Sequence, residues 1–174
     1  MRKWLIVYST VTGNTKKVAE AMAEAAGVTA VDVKEAPSDV SGYDIVACGY
    51  WLWRGTADPK TQAYLKSLHD ANVVLFSTHA APDDSEHAQT SFARAAMLLG
   101  GNVNLIGTFG CRGQVSDAVL ARRAKLPADD PHKQSDAWKG SMGHPDEKDI
   151  ENAKKFVESV EHKMMLMDKF MAKM

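Results

Sequence analysis

The chain has 174 residues, 21 Lys and Arg against 22 Asp and Glu, and two cysteines. Its length suits one domain with a sizeable core, and a net charge of -1 without a basic cluster excludes a nucleic-acid footprint. Two cysteines cannot form a disulfide framework, and neither a signal peptide nor a long apolar span stands out, so a reducing cytoplasm and no membrane span are expected.

In chain order, apolar runs at Trp4 to Val7, Val28 to Val33, Asp44 to Gly49, Val73 to Ser77 and Val103 to Phe109 read as five strands. Helical spacing fills the gaps at Thr15 to Ala26, Lys60 to Leu68, Ala88 to Leu99 and from Lys148 onward, while the link from Ala36 to Tyr43 is short. Strands alternating with helices predict an α/β fold with a doubly wound parallel sheet. Its ligand belongs outside the strand carboxyl ends, where the first, third and fourth turns converge.

Two segments exceed that minimal pattern. Arg112 to Pro145 is a long connection with a short helix expected near Ser116 to Ala124, and a loop this long in a compact domain is functional or disordered. The last helix, Asp146 to Met174, would run about 43 Å. Ala153, Val157, Val160, Met164, Met167, Met171 and Met174 repeat along it with the alternating four-and-three spacing of a packed seam. Its Met-rich end would project from a small domain, which predicts a homodimer through this helix, a docked partner or a frayed tail.

The first turn, Ser9-Thr10-Val11-Thr12-Gly13-Asn14-Thr15, sets a hydroxyl-rich loop between a buried strand and a helix. Free N–H groups at a helix start and the helix dipole attract an anion. Thr10, Thr12, Asn14 and Thr15 add neutral donors, so a phosphate can be held without a lysine. Gly-Lys-Ser/Thr is absent, as are three spaced glycines, which sets aside the Walker and dinucleotide fingerprints. Thr10-Val11-Thr12-Gly13-Asn14-Thr15 resembles, without a gap, the flavodoxin phosphate loop Thr/Ser-x-Thr-Gly-x-Thr. The resemblance extends over roughly Met1 to Phe109 and the last helix. It implies a single flavodoxin-like domain over residues 1–174, with an extended loop at 112–145 and a long helix at 146–174. It further implies a five-stranded parallel sheet in the order 2-1-3-4-5 with helices on both faces, and FMN with its phosphate in this loop.

The turn after the third strand, Tyr50-Trp51-Leu52-Trp53-Arg54-Gly55, carries two of the four tryptophans. Indoles are poor turn residues and argue for a flat ligand or a partner. In flavodoxins an aromatic in this turn covers the isoalloxazine ring, so the resemblance implies Trp51 or Trp53 in that place, with Trp53 favoured by gapless counting from Gly49. Arg54 is either a charge near the flavin N1 or a solvated arginine. After the fourth strand, Thr78-His79-Ala80 lacks the second aromatic of the usual pattern, and His79 is either a flavin contact or a solvated loop histidine. After the fifth, the glycines flanking Cys111 and Arg112 allow close backbone approach, and Cys111 is either a flavin contact or a buried thiol. With the second aromatic missing, Arg112 to Pro145 is expected to cover the open flavin face or to offer it to a substrate. No metal-ligand spacing and no nucleophile–base arrangement stands out, so neither a metal nor a catalytic residue is expected.

Three functions fit these residues. One is an FMN electron carrier serving a dedicated redox partner system, a donor reductase and an acceptor enzyme. Another is an FMN-dependent reductase acting directly on a planar acceptor such as a quinone, haem or bilin; the third is a cofactor-free interaction module. Near-neutral charge disfavours a promiscuous shuttle steered by acidic patches. Dedicated electron transfer is the expectation.

Overall fold

The computed structural model describes residues 1–134 and 136–173. Among these residues are six strands, β1 (Trp4–Tyr8), β2 (Ala30–Asp32), β3 (Ile45–Trp53), β4 (Thr56–Ala57), β5 (Asn72–His79) and β6 (Asn104–Arg112), with β2, β3 and β4 following one another and helices after β1, β4, β5 and β6. The helices are α1 (Asn14–Ala26), α2 (Pro59–Ser67), α3 (Glu86–Ala96), α4 (Asp117–Ala124), α5 (Pro131–Gln134) and α6 (Glu147–Met171), with a 3-10 turn at Ala137–Ser141.

All five residues of β1 are buried, which places it inside the sheet rather than at an edge. The parallel order is β2-β1-β3-β5-β6. This is the expected 2-1-3-4-5 once the two-residue β4, antiparallel to the end of β3, is left out of the count. Period-two alternation splits each inner strand between two cores. Ile6, Ile45, Ala47, Val74 and Phe76 pack with Val18 and Met22 of α1 and Ala153, Val157 and Val160 of α6. Leu5, Val7, Val46, Cys48, Val73 and Leu75 pack with Leu65 of α2 and Phe92 and Ala95 of α3. Gly49 has no side chain because the Phe76 ring fills that space: a Cβ there would lie 2.1 Å from the ring.

Three strands run further than their apolar cores predict. β3 continues four residues past Gly49, because β5 pairs with it to Trp51 and β4 supplies a partner for Leu52 and Trp53. The expected turn at Tyr50 to Gly55 is therefore mostly strand, closed by a two-residue hairpin at Arg54 and Gly55. Both have positive φ, 49° and 78°, as a type I′ turn requires. β5 and β6 likewise extend to His79 and Arg112. α6 begins in a capping box of Asp146 and Asp149 and buries Ala153, Val157, Val160 and Met164. Beyond Met164 the seam meets no core: Met167 and Met171 are exposed, and Met174 lies outside the described residues. Among the described residues no helix is long and apolar enough to cross a membrane.

Candidate functional site

The first strand-to-helix turn is moored from below. Ser9 N–H donates to the Gly49 carbonyl at 2.9 Å, and the Ser9 hydroxyl donates to buried Asp58 at 2.9 Å. Asp58 in turn caps α2 by accepting from the Lys60 and Thr61 N–H groups. Thr15 shares a buried 2.8 Å hydrogen bond with Thr78 of β5. Ser9, a residue of the expected cofactor loop, and Thr15, expected as a donor, thus tie the loop to the ends of β3 and β5. Higher in the loop, the Thr10 hydroxyl accepts from Gly13 N–H at 3.0 Å. Gly13, at φ 88°, starts α1 without a side-chain cap and with no acidic residue in the first turn. The helix start therefore keeps the positive end of its dipole uncompensated by a side chain.

A cleft of about 600 Å³ opens beside this loop, above the carboxyl ends of β1, β3 and β5. Such a volume takes a mononucleotide-sized ligand. Val11, Thr12 and Asn14 contribute the loop side, and Trp51, Leu52, Trp53 and Arg54 the hairpin side. Trp51 and Trp53 keep the alternation of Ile45, Ala47 and Gly49, so they project on the α1 side past the end of the core. Both are half-buried, and the Arg54 guanidinium lies 4.8 Å over the Trp53 ring. Thr78, His79 and Ala80 form the back wall. Gly113, Gln114, Val115, Ser116, Val119 and Arg122 complete the lining from the long excursion, a contribution the first-turn motif could not reveal because it depends on how 112–145 folds back.

The alternation that brings the tryptophans in turns Tyr50 out. It is fully buried on the opposite face, its ring edge-on to Phe92 at 6.0 Å, and burial pushes its hydroxyl up to about 12. Its side chain is a core element rather than a cofactor contact. Cys111 is also withdrawn, 2% exposed in the α1 core, and burial raises both Cys48 and Cys111 thiols far above their usual range. Gly55 is buried at the hairpin turn and does not line the cleft. His79 is not a solvated loop residue: it ends β5, is 5% exposed, and its Nδ1 faces the Ala81 carbonyl at 2.9 Å. That bond assigns the ring proton to Nδ1, and burial lowers the His79 pKa, which keeps the ring neutral.

Polar links close the excursion onto the loop. The Asn14 amide donates to the Gln114 carbonyl at 2.9 Å, and Gln114 N–H donates to the His144 carbonyl at 2.7 Å. Arg112 donates to the Gly140 carbonyl at 2.8 Å, and Lys17 reaches the Pro145 carbonyl at 3.4 Å. His144, Asp146 and Asp149 each bring a donor atom within 4.8 Å of the others. Here they start α6: the Asp149 carboxylate accepts from Asp146 N–H at 2.9 Å and faces His144 Nδ1 at 2.5 Å.

The parallel doubly wound sheet carries an uncapped helix start and an aromatic wall together at its switch point. The chain belongs to the flavodoxin domain family, whose model matches residues 5–158. A flavodoxin-like domain-containing protein BilS from Clostridioides difficile is 28% identical over 168 residues, covering 91% of this chain and 96% of that protein. Among solved structures, flavodoxin 2 from Bacillus cereus superposes with a TM-score of 0.57 at 17% identity, covering 92% of this chain and 99% of that one. A flavoprotein from Lactobacillus acidophilus, solved in complex with FMN, gives 0.50 at 18% identity over 72% of this chain and all of that one.

Proposed function

We propose that the cleft binds FMN and that the protein carries electrons for a dedicated redox partner in a reducing cytoplasm, where its two free, buried cysteines are at home. One observation carries this: an uncapped α1 start and a pair of half-buried indoles face the same 600 Å³ space. The residues fit the group. Thr12 and the backbone N–H groups of Asn14 and the rest of the first turn would hold a phosphate, and Trp51 or Trp53 would lie against the ring. The FMN complex of the Lactobacillus flavoprotein, which shares the fold, supports the same ligand. Bound FMN would supply the one- and two-electron chemistry, while the chain positions it and shields one face. Thr78 and His79 bring uncharged groups to the back wall, and the buried Asp58 beneath the loop is held by hydrogen bonds of its own.

The absorption spectrum of the purified protein tests the reading directly: flavin bands are expected, and their absence, together with failure to bind added FMN, would leave a cofactor-free module. Thr12→Val removes a hydrogen bond to a charged group, about 1.5 to 3 kcal/mol. FMN binding should weaken at least about tenfold while riboflavin binding stays constant. Equal loss for both flavins would remove the phosphate from this loop.

A further inference from the structure

The charge of the cleft is one-sided. The lining residues that bear full charge at neutral pH are Arg54, at the tip of the β3–β4 hairpin, and Arg122, on α4. They stand on different walls, one at the end of the sheet and one in the excursion. The chain has 22 acidic residues, yet none lines this cleft, so its local sign is not inherited from the overall balance. Asp83, which faces His79 Nε2 at 4.0 Å, stays outside the lining. Arg54 and Arg122 are both exposed, and neither has a carboxylate partner among the described residues. Val11 and Val119, 73% and 44% exposed, add apolar surface to the same mouth.

Two guanidinium groups without a carboxylate partner, that of Arg54 lying over the Trp53 ring, face one open cleft and form a recognition element, because the planar fork of arginine matches a carboxylate in both geometry and charge. We propose that Arg54 and Arg122 select electron acceptors that present an anionic group, a carboxylate above all, at the mouth of the cleft. The proposal rests on the electron-carrier reading. It places the acceptor between the hairpin tip and α4, with the valines against its apolar part.

The first test needs no flavin. Trp4 is 2% exposed, so in a Trp138→Phe background the quenchable emission comes from Trp51 and Trp53. Iodide should quench it more than caesium does, relative to a free indole, and Arg54→Gln/Arg122→Gln should lower that ratio by about threefold or more. A parent protein with no iodide preference, or a double variant that keeps it, overturns the proposal.

The second test uses the photoreduced FMN form, reoxidised by ferricyanide or by hexaammineruthenium(III). Each metal complex takes one electron, so two reoxidise one fully reduced flavin, which releases one proton from its anionic form or two from its neutral form. The ferricyanide rate should fall with ionic strength and the ruthenium rate should rise, and both slopes should flatten in the double variant. Slopes that the variant leaves unchanged overturn the proposal. Polyglutamate that slows ferricyanide reduction where free glutamate does not would assign the anionic group to an acidic protein face. Equal slowing at matched charge would assign it to a small acceptor, and either result supports the anion preference. A chain that binds no flavin fails the carrier reading instead, and the quenching ratio then stands as the separate measure of the cleft.

Discussion

The sheet with its first turn and the excursion from 113 to 145 both border the cleft, but they are held in place by different forces. Every residue of β1 is buried, and the loop above it is fixed by the buried Ser9–Asp58 and Thr15–Thr78 hydrogen bonds. α4 buries none of its residues. The excursion is fastened instead by polar links with solvent nearby, Asn14 to Gln114, Arg112 to Gly140 and Lys17 to Pro145. One wall of the cleft thus belongs to the packed sheet, and the other to a region whose loss costs little core. Opening free energies should differ accordingly between the two.

The largest expected effect lies in the sheet. Gly49→Val drives carbon atoms into the Phe76 ring, 2.1 Å from the ideal Cβ position, and overpacking of this kind costs about 1 to 3 kcal/mol or more. Val119→Ala on α4 should stay within about 0.5 kcal/mol. Urea midpoints measure both, and equal losses would erase the distinction between the regions.

Acid should also act on the sheet side. The folded state holds His79 neutral, with its pKa lowered by burial, while the unfolded chain titrates near the ordinary value of about 6.5. Above that pH both states are neutral and the full stability is present. Below it the unfolded state binds the proton first, so stability falls by up to about 1.4 kcal/mol per pH unit. Comparing urea midpoints at pH 7 and pH 5 for the parent and His79→Asn checks this. A variant as acid-sensitive as the parent would assign the slope to other groups.

A smaller effect is expected in the excursion itself. Arg112→Met removes the 2.8 Å tie to Gly140, at a cost of about 1 kcal/mol or less. Limited proteolysis within 113–145 should speed up while FMN affinity holds. Unchanged proteolysis would show that other contacts hold the segment.

The smallest effect on monomer stability is expected at the end of α6. Leu166, Phe170 and Met171 are 51%, 67% and 68% exposed, so Phe170→Ser/Met171→Ser should change folding by no more than about 0.5 kcal/mol. If this end mediates self-association, light scattering will show a lower mass for the variant. Identical monomeric masses would remove the homodimer.

Local pattern carried much of the architecture. β1 is apolar at every position, Thr10 to Thr15 have the pattern of a phosphate loop at a strand-to-helix turn, and most strands are followed by helices, so a parallel α/β sheet and the place of the cleft were legible in the chain itself, while the sheet order came with the flavodoxin resemblance. These features depend on short-range periodicity and on the backbone geometry of one turn. Tertiary structure decided which side chains enter the cleft. Pairing with β5 and β4 carries β3 past Gly49, and strict alternation then sends Trp51 and Trp53 toward the cleft and Tyr50 into the opposite core. Burial at the end of β5 makes His79 a neutral ring on the back wall of the cleft, and long-range hydrogen bonds tie Ser9 and Thr15 to neighbouring elements. The packing of α6 stops at Met164, beyond which the helix finds no core to cover it. Arg54 and Arg122 border one cleft only because the excursion folds back onto the loop, a juxtaposition that no local propensity encodes.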